Sequence, residues 1–282
     1  MAIKLIVDSA SDISRKEAEE MGVEVIPMTV SFGAETFFDG VDLLPTQFYE
    51  RLIENDELPK TGQITQFRFE EAFARLTANG DEVVLITISS KLSATWSSAV
   101  LAAQNFEGRV WVVDSMNACI GERLLCQYAI RMLEEGLSAK AIAEELELVK
   151  SKIVVMAMVN TLEYLKKGGR VSAMVAFAGE MLSIKPVILV ADGEVKMAGK
   201  ARGSKNANNL LNSLVEQKGG IDFSMPYGTI WSGLDQSLLQ KYIADSGHLW
   251  QAYTDHVPSY ILGATIGTHV GPGAVGVAFF TK

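Results

Sequence analysis

A cluster of hydroxyl side chains stands where an apolar segment of the chain gives way to an amphipathic one. Residues 83–88 are apolar and rich in β-branched side chains, which predicts a strand buried on both faces. Ser and Thr residues follow between 89 and 98, and the apolar residues from Leu92 onward have helical spacing. Hydroxyls delivered to a helix N-terminus, where backbone N–H groups are open, are a candidate site for an anion or a carboxylate. Plain capping of the helix is the alternative.

Basic residues cluster in the second half of an otherwise acidic chain, and two arginines among them have glycine neighbours. Arg170 follows Gly168-Gly169, and Arg202 precedes Gly203. An arginine presents a planar fork that fits a carboxylate or a phosphate, and glycine lets the backbone turn sharply beside it. A solvated charged face is the alternative, and we expect it to hold for most of the nearby lysines: Lys166, Lys167, Lys185, Lys196, Lys200 and Lys205.

One of the three histidines, His269, lies in the glycine-rich segment 267–276. It could donate a hydrogen bond to an anion, relay a proton, or simply fix a glycine-rich turn. Residues 271–276 match a dinucleotide-binding pattern by letter, but that pattern opens a helix within a β-α-β unit, and only one strand remains here, so we reject it. His248 and His256 lack such a context and are interpreted as structural.

Complete catalytic motifs are missing from the sequence. It contains no Gly-x-Ser-x-Gly elbow, no phosphate-binding Gly-x-x-x-x-Gly-Lys-Ser/Thr loop and no His-Glu-x-x-His. Ser93 has no general base close in sequence, although His269 could fold onto it. The chain therefore offers groups that hold an anion but no full catalytic set, and no metal-ligand spacing.

The predicted strands that position these residues end in polar side chains. Strands predicted at 3–7, 83–88 and 110–113 all end in Asp or Ser. Ligands of an open parallel sheet bind beyond the carboxyl ends of its strands, so three such ends could converge on one site. Capping of three helices is the alternative. Helices predicted at 118–135 and 138–150 close a first α/β domain.

Periodicity and turn residues predict the remaining elements. They are a helix at 14–21, a strand at 23–30 with an edge or bulge at Pro27, a hairpin or loop at 32–41, a helix at 45–53 capped from Thr46, a helix at 67–78, a strand at 153–159, a helix at 173–182, a strand at 184–190 with a hairpin turn at Asp192-Gly193, a helix at 203–217, a β-α-β unit over 229–232, 234–246 and 250–253, a helix at 258–265 and a strand at 275–280.

Composition limits the class of protein. The 282 residues carry a net charge of −9, which argues against a general nucleic-acid binder. Cys119 and Cys126 lie seven residues apart in a predicted helix, too far along its axis for a disulfide, which favours a reducing cytoplasm. The first apolar run, residues 3–7, is too short for a signal peptide, and no run reaches membrane-spanning length.

An ordered set of motifs across essentially the whole chain resembles the DegV family, the bacterial fatty-acid-binding proteins. Each motif is modest, and their order carries the resemblance. The motifs are Val7-Asp8-Ser9, Pro59-Lys60-Thr61-Gly62-Gln63, Ser89-Ser90-Lys91-Leu92-Ser93-Ala94-Thr95, Val113-Asp114-Ser115, Lys167-Gly168-Gly169-Arg170-Val171, Ile184-Lys185-Pro186, Arg202-Gly203-Ser204-Lys205 and His269-Val270-Gly271-Pro272-Gly273-Ala274.

The resemblance implies a fold and a function. The expected fold is a two-domain α/β fold, with an N-terminal parallel-sheet domain over 1–152, a smaller C-terminal α/β domain over 153–282 and the ligand at their junction. One long-chain fatty acid is expected in an apolar tunnel of the first domain, with no cofactor. Family members carry the acyl chain for a bacterial fatty acid kinase: a separate ATP-binding subunit phosphorylates the carboxyl group, and the acyl phosphate enters phospholipid synthesis through an acyltransferase at the membrane surface.

The resemblance also assigns roles to individual residues. Thr61 and Ser93 match the hydroxyls that hold the carboxylate. Arg170, Arg202 and His269 match the polar groups around the head group, and Arg202 is also implicated in contact with the kinase.

Two departures from the family pattern lie at this site. The usual Thr-Ser-Gln-Pro-Ser is Thr61-Gly62-Gln63-Ile64-Thr65, and the usual Leu-Ser-Gly-Thr-Tyr has Ala94 at the glycine. Because of these two departures, the sequence does not predict the length or unsaturation of the preferred acyl chain.

Two other functions are compatible with the residues. One is a hydrolase or transferase with Ser93 as nucleophile and His269 as base, and the other is a small-molecule sensor module without a kinase partner. The long-chain fatty-acid carrier is the function that the resemblance favours.

Overall fold

A computed structural model describes residues 2–171 and 183–282 of the chain. The helix expected at 173–182 lies outside these residues. The strands, in chain order, are β1 Ile3–Asp8, β2 Val23–Ile26, β3 Thr29–Phe32, β4 Glu35–Phe38, β5 Lys60–Gly62, β6 Glu82–Thr87, β7 Val110–Asp114, β8 Ile153–Met158, β9 Ile184–Ala191, β10 Glu194–Arg202, β11 Tyr227–Trp231, β12 Ser259–Ile261 and β13 Val275–Phe280. The α-helices are α1 Arg15–Met21, α2 Pro45–Glu54, α3 Gln66–Leu76, α4 Thr95–Ala103, α5 Ile120–Glu134, α6 Ala139–Val149, α7 Glu163–Lys167, α8 Gly203–Gln217, α9 Ser237–Asp245 and α10 Ala264–Val270.

The first half of the chain builds a parallel sheet in the order β2-β1-β6-β7. Its central strands β1 and β6 are continuous apolar runs, as expected for strands with both faces covered. Helices α3 and α4 pack together and against β6 and β7, while α5 and α6 contact β1, β6 and β7 between them. The predicted parallel α/β half is confirmed.

The second half builds a mixed sheet in the order β10-β9-β8-β13-β11-β12. The Asp-Gly pair predicted to turn a hairpin does so between β9 and β10, with φ of 54° at Asp192 and 80° at Gly193. Two successive residues with positive φ suit a two-residue hairpin, because their twist matches that of the strands. Helices α8 and α9 cover this sheet with a core of their own.

Helix α5 lies between the two sheets. It contacts β1 and β6 of the parallel sheet and β8, β11 and β13 of the mixed sheet. Its buried residues include Ile120, Leu124, Leu125, Cys126 and Ala129, which belong to one core cluster with residues of both sheets. No strand of the described chain before residue 152 shares a sheet with one after it. The domain boundary at 152/153 itself stays a prediction.

A small antiparallel sheet, in the order β4-β3-β5, carries α2 and a separate apolar cluster. The single strand expected at 23–30 is wrong: these residues form parts of two strands, β2 in the parallel sheet and β3 in this antiparallel sheet. The chain breaks at Pro27, which has no N–H for a ladder. Helix α2 begins at Pro45 with Leu44 as N-cap, so the expected cap at Thr46 is wrong. The Leu44 N–H donates instead to Oε1 of Gln47, 3.0 Å away.

Two predictions near the C-terminus are wrong. Residues 250–253 form a turn, and the strand that pairs with β11 in parallel is β12. Trp250 is buried, and its ring packs edge-on to Tyr242. A buried aromatic residue is typical of a strand, but here it belongs to a turn. The helix expected at 258–265 begins only at Ala264, after β12. Both errors concern the edge strand β12, whose formation depends on its pairing with β11 and not on its own sequence pattern.

Both cysteines are free thiols, as their spacing predicted, and the structure buries both of them. Across 2–171 and 183–282, every helix is either too short or too polar to cross a membrane.

Candidate functional site

A cavity of about 360 Å³ lies between the two halves. Most of its wall is apolar, and residues from both halves contribute, whereas the resemblance implied a tunnel within the first domain. The apolar lining is Met28, Ile88, Leu92, Ala94, Ala118, Cys119, Val155, Met156, Ala157, Leu165, Ile188, Leu189, Val190, Val195, Ile230, Leu262, Ile266 and Val270. The polar side chains on the wall are Thr61, Gln63, Ser93, Arg170, Thr265 and His269. Because the lining residues Gln63 and Ala94 are also exposed, the cavity reaches the surface beside its polar groups.

Ser93 reaches the cavity through a tight turn after β6. The N–H groups of Leu92 and Ser93 both donate to the carbonyl oxygen of Ser89, at 3.0 and 3.1 Å. Helix α4 begins only at Thr95, with Ala94 as N-cap, so the hydroxyls at 89 and 90 do not cap it. The Ser89 hydroxyl instead donates to the carbonyl of Gly193 at 2.7 Å. Of the predicted hydroxyl cluster, Ser93 is the member that lines the cavity.

Thr95 joins Ser93 to the segment after β5, a role that the sequence did not indicate. Its Oγ1 lies 2.9 Å from Oγ of Ser93 and accepts the N–H of Ile64 at 3.4 Å. The N–H of Thr95 also donates to Oγ of Ser93 at 3.2 Å. Thr95 is fully buried, which leaves its hydroxyl few other partners. The Ser-x-Thr spacing at a helix start was the available signal.

Thr61 and His269 meet across the cavity wall. Thr61 lies on β5, opposite Val30 of β3, and His269 lies in the last turn of α10. Oγ1 of Thr61 and Nε2 of His269 are 2.9 Å apart. The prediction that both residues belong to one site is compatible with this contact. His269 is helical, and the glycine-rich turn begins after its helix, at Gly271, where φ is 73°.

The environment of His269 favours its uncharged form. Burial, with a smaller contribution from the positive charge of Arg170, lowers the pKa of His269 to about 4. Among the described residues Nδ1 of His269 is buried without a hydrogen-bond partner. The backbone of Gly168 lies against it, since a Cβ at Gly168 would come within 2.2 Å of Nδ1. A neutral imidazole at Thr61 can donate or accept through Nε2.

Arg170 ties the second half to the turn that carries Ser93. Its Nε donates to the carbonyl of Leu92 at 3.2 Å, and its Nη1 donates to the carbonyl of Gly168 at 2.6 Å. The expected glycine turn is confirmed at Gly169, where φ is 69°. Arg170 therefore places a half-buried positive charge on the cavity wall.

Arg202 is not brought to the cavity. It ends β10 and is the N-cap residue of α8, with an exposed side chain. Three of the nearby lysines have polar partners on the surface: Lys167 pairs with Glu163, Lys196 with Asp192, and Lys185 donates to Asn160. For these three the charged surface face is the better interpretation.

The acids that end the strands bind backbone rather than line the cavity. Asp8 accepts the N–H groups of Ala10 and Ile88, both at 2.8 Å. Asp114 accepts the N–H of Ser90 at 3.2 Å and that of Met116 at 2.9 Å. These acids stiffen the loops beyond the sheet, Asp8 as the N-cap of a single 3₁₀ turn at Ser9–Ser11. The capping alternative is wrong for the α-helices that follow, because Ser14 is the N-cap residue of α1 and Cys119 that of α5.

Two residues of the first departure from the family pattern, Gly62 and Ile64, have local explanations. A Cβ at Gly62 would lie 2.4 Å from Oγ1 of Thr29, its partner on β3, so the Thr29 hydroxyl occupies that space. Ile64, unlike a proline, has the N–H that Thr95 accepts. The hydrogen bond from the Ile64 N–H to Thr95 therefore restrains the loop after β5, whereas a proline would restrain it through its ring.

The site can hold an anion, but its hydrogen bonds do not form a nucleophile–base pair. In the described chain the side-chain partner of Ser93 Oγ is Thr95, and that of His269 is Thr61. A serine nucleophile requires a base within hydrogen-bond reach. Searched over the same residues, His, Cys, Asp and Glu form no group of three or more that could bind a metal ion.

Comparisons with known proteins give one consistent result. The family model described as "Uncharacterised protein, DegV family" matches residues 2–282. A DegV domain-containing protein of Deinococcus radiodurans is 33% identical over 282 residues, 99% of this chain and 98% of that protein.

Solved structures of similar proteins have the same fold. A fatty-acid-binding DegV family protein from Thermus thermophilus superposes with a TM-score of 0.89 at 32% identity, over 100% of both chains. A stearic-acid-binding protein from Eubacterium ventriosum gives a TM-score of 0.88 at 25% identity, over 100% of this chain and 99% of the other. The predicted α/β fold, with a parallel-sheet half and a second sheet, is confirmed.

Proposed function

Because the chain belongs to the DegV family, we propose that it binds one long-chain fatty acid in the cavity between its two halves. The observation that carries the proposal is the contact of Thr61 with His269, 2.9 Å apart, on the wall of an otherwise apolar cavity. A fatty acid has the same division into one small polar end and a long apolar remainder. Relatives whose structures are described as fatty-acid-binding support the choice of ligand.

The apolar wall supplies the affinity. Each CH₂ group removed from water contributes about 0.8 kcal/mol, so a sixteen-carbon chain contributes on the order of 10 kcal/mol before the cost of immobilising it. Methionines Met28 and Met156 on the wall are flexible and suit a chain that bends. Both halves contribute to the wall, so the fatty acid would lie at their junction and hold them together.

The polar end of the cavity binds the carboxylate of the fatty acid with hydroxyl groups and one positive charge. The unpartnered Nδ1 of His269 is best explained as the ring nitrogen without a proton, which places the proton on Nε2. Nε2–H then donates to the Thr61 oxygen, and the Thr61 hydroxyl is free to donate to the carboxylate. Ser93 offers a second hydroxyl, and Arg170 offsets the negative charge.

The cavity reaches the surface beside these groups, so a bound carboxyl group would be accessible to another protein. A separate ATP-binding kinase subunit would phosphorylate it, and the acyl phosphate would pass to an acyltransferase at the membrane surface for phospholipid synthesis. The exposed Arg202 is the proposed contact with the kinase. We place this carrier, which is not an enzyme on its own, in the cytoplasm, where ATP is available.

Native mass spectrometry of the protein as purified, followed by extraction and identification of the ligand, tests the proposal. We expect one long-chain fatty acid per chain. A protein that is purified without ligand and does not bind added fatty acid would overturn the proposal and favour a small-molecule sensor.

A further inference from the structure

The helix that carries His269 is capped by the other half of the protein. The N–H groups of Ala264 and Thr265, the first two residues of α10, donate to Oδ1 and Oδ2 of Asp39, both at 3.0 Å. The N–H of Gly263 donates to Oδ1 of Asp12 at 2.7 Å. Gly263 is the N-cap residue and has no side chain to perform this function, so carboxylates 225 and 251 residues away perform it.

The same short helix ends at the binding site. His269 lies in its last turn and contacts Thr61, while Thr265, Ile266 and Val270 line the cavity. A helix of seven residues is about 10 Å long and has no room to bend, so a displacement at its start moves its end.

The middle of α10 is packed too closely for independent adjustment. A Cβ at Gly267 would lie 2.5 Å from Cε1 of Phe48 and 2.7 Å from the hydroxyl oxygen of Tyr49. The Tyr49 hydroxyl donates to the carbonyl of Leu262 at 3.0 Å, just before the helix. Close backbone contact therefore fixes the middle of α10 on α2, and the caps on its N–H groups hold its first turn.

Asp39 is the stronger of the two caps. Both of its oxygens accept α10 backbone N–H groups, and the residue is only 4% exposed. Burial raises the pKa of Asp39, and hydrogen bonds from Thr265 and Ala264 act in the opposite direction. Asp12 has one oxygen, Oδ2, that is buried without a partner in the described chain.

We propose that Asp39 is a positioning residue for the ligand head-group site: by capping α10 from the first half, it sets the position of His269 against Thr61. The part of this inference that concerns the ligand rests on the proposed function, whereas the part that concerns His269 does not.

The test measures the pKa of His269 by NMR in protein stripped of ligand, in wild type, Asp39→Asn and Asp39→Ala. Selective histidine labelling gives three signals, and His248→Gln and His256→Gln identify the other two. Asp39→Asn keeps one acceptor oxygen for the two N–H groups, and Asp39→Ala keeps none. We expect the pKa of His269 to rise from about 4 toward its ordinary 6.5 as the helix end loosens, more in the alanine variant than in the asparagine variant.

Asp56→Asn, an exposed acid before β5, is the matched control for loss of one charge and should leave the His269 titration unchanged. In the same variants the dissociation rate of a bound fluorescent fatty acid should rise about 5- to 10-fold for Asp39→Ala, with little change for Asp56→Asn. If the Asp39→Ala variant does not fold, the His269 titration of the Asp39→Asn variant alone tests the inference.

A folded Asp39 variant with the wild-type His269 titration would overturn the inference. If the titration shifts but no variant binds fatty acid, wild type included, the proposed function fails and the positioning role stands.

Discussion

The Nε2 atom of His269 lies 2.9 Å from Oγ1 of Thr61, although 208 residues separate them in the chain. One residue comes from a short edge strand of the first half, and the other from the last turn of a helix of the second. The contact closes the two halves over the cavity at its polar end. The Thr61 and His269 side chains are both uncharged at neutral pH, which keeps the cost of burying them low.

Replacing Thr61 by Val should remove the hydroxyl that His269 contacts while keeping a β-branched side chain for β5. We expect fatty-acid affinity to fall by about 10-fold, the loss of one hydrogen bond to a charged group. Displacement of a fluorescent fatty acid measures the affinity, and Thr61→Ser is the control that retains the hydroxyl. Equal affinities of the two variants would contradict the head-group assignment.

Thr95→Val should disturb Ser93 indirectly, because Thr95 accepts from Ile64 and contacts the Ser93 hydroxyl. Leaving these groups without a partner costs about 1–3 kcal/mol of stability. Fatty-acid dissociation should also become faster. Thermal unfolding and exchange kinetics measure both effects, and Thr95→Ser should restore most of each. Wild-type kinetics in the valine variant would show that Ser93 needs no support.

Gly62→Ser restores the family residue but places its Cβ close to Oγ1 of Thr29. We expect this substitution to destabilise the protein by about 1–3 kcal/mol, as overpacking does. Thr29→Ala should relieve the clash, so the double variant should be more stable than Gly62→Ser alone. Chemical denaturation of the four proteins gives the coupling energy, and additive effects would contradict the explanation.

Arg202→Ala should leave fatty-acid binding unchanged, because this exposed residue does not line the cavity. Under the proposed function it should slow phosphorylation of the bound fatty acid by the kinase subunit at least 10-fold. Lys218→Ala, just beyond the other end of α8, is the control for loss of an exposed positive charge. Normal turnover by the Arg202 variant would remove this residue from the contact with the kinase.

Glu122 should make the protein less stable as the pH rises. It is fully buried, and burial together with the nearby Asp8 and Asp12 carboxylates raises its pKa well above 4.5. The folded state therefore holds a proton that the unfolded state loses, so the stabilisation is complete below pH 4.5 and declines above it, by about 1.4 kcal/mol per pH unit for one proton.

The Glu122→Gln variant should show a shallower decline of unfolding free energy between pH 5 and 8, measured by urea denaturation at each pH. A slope from Asp8, Asp12 and Asp39 should remain, because burial raises the pKa of each of these carboxyl groups, that of Asp8 to about 7. Glu134→Gln, exposed near the end of α5, is the control. Identical slopes for Glu122→Gln and wild type would contradict the assignment.

Continuous apolar runs made much of the fold predictable. Strands β1, β6, β8 and β13 are buried along most of their length, and burial of that kind leaves a signal within the strand itself. The edge strand β12 and the division of residues 23–30 depend on neighbours far away in the chain, and the local pattern does not contain them.

The candidate site was predictable to the same limited degree. Motif order pointed to Thr61, Ser93, Arg170, Arg202 and His269, and all of these except Arg202 line the cavity. The Ser-x-Thr spacing was the signal for Thr95, but it did not separate this residue from an ordinary residue at a helix start. The capping of α10 by Asp39 leaves no local signal, because the donor and acceptor are 225 residues apart.

Helix α5 has a consequence for folding. One of its faces belongs to the parallel sheet and another to the mixed sheet, so neither half can complete its core without the other. A fragment ending at residue 152 would expose the side of α5 that normally contacts β8 and β13, and such a surface promotes aggregation. The two halves should therefore unfold in one cooperative transition despite their separate sheets.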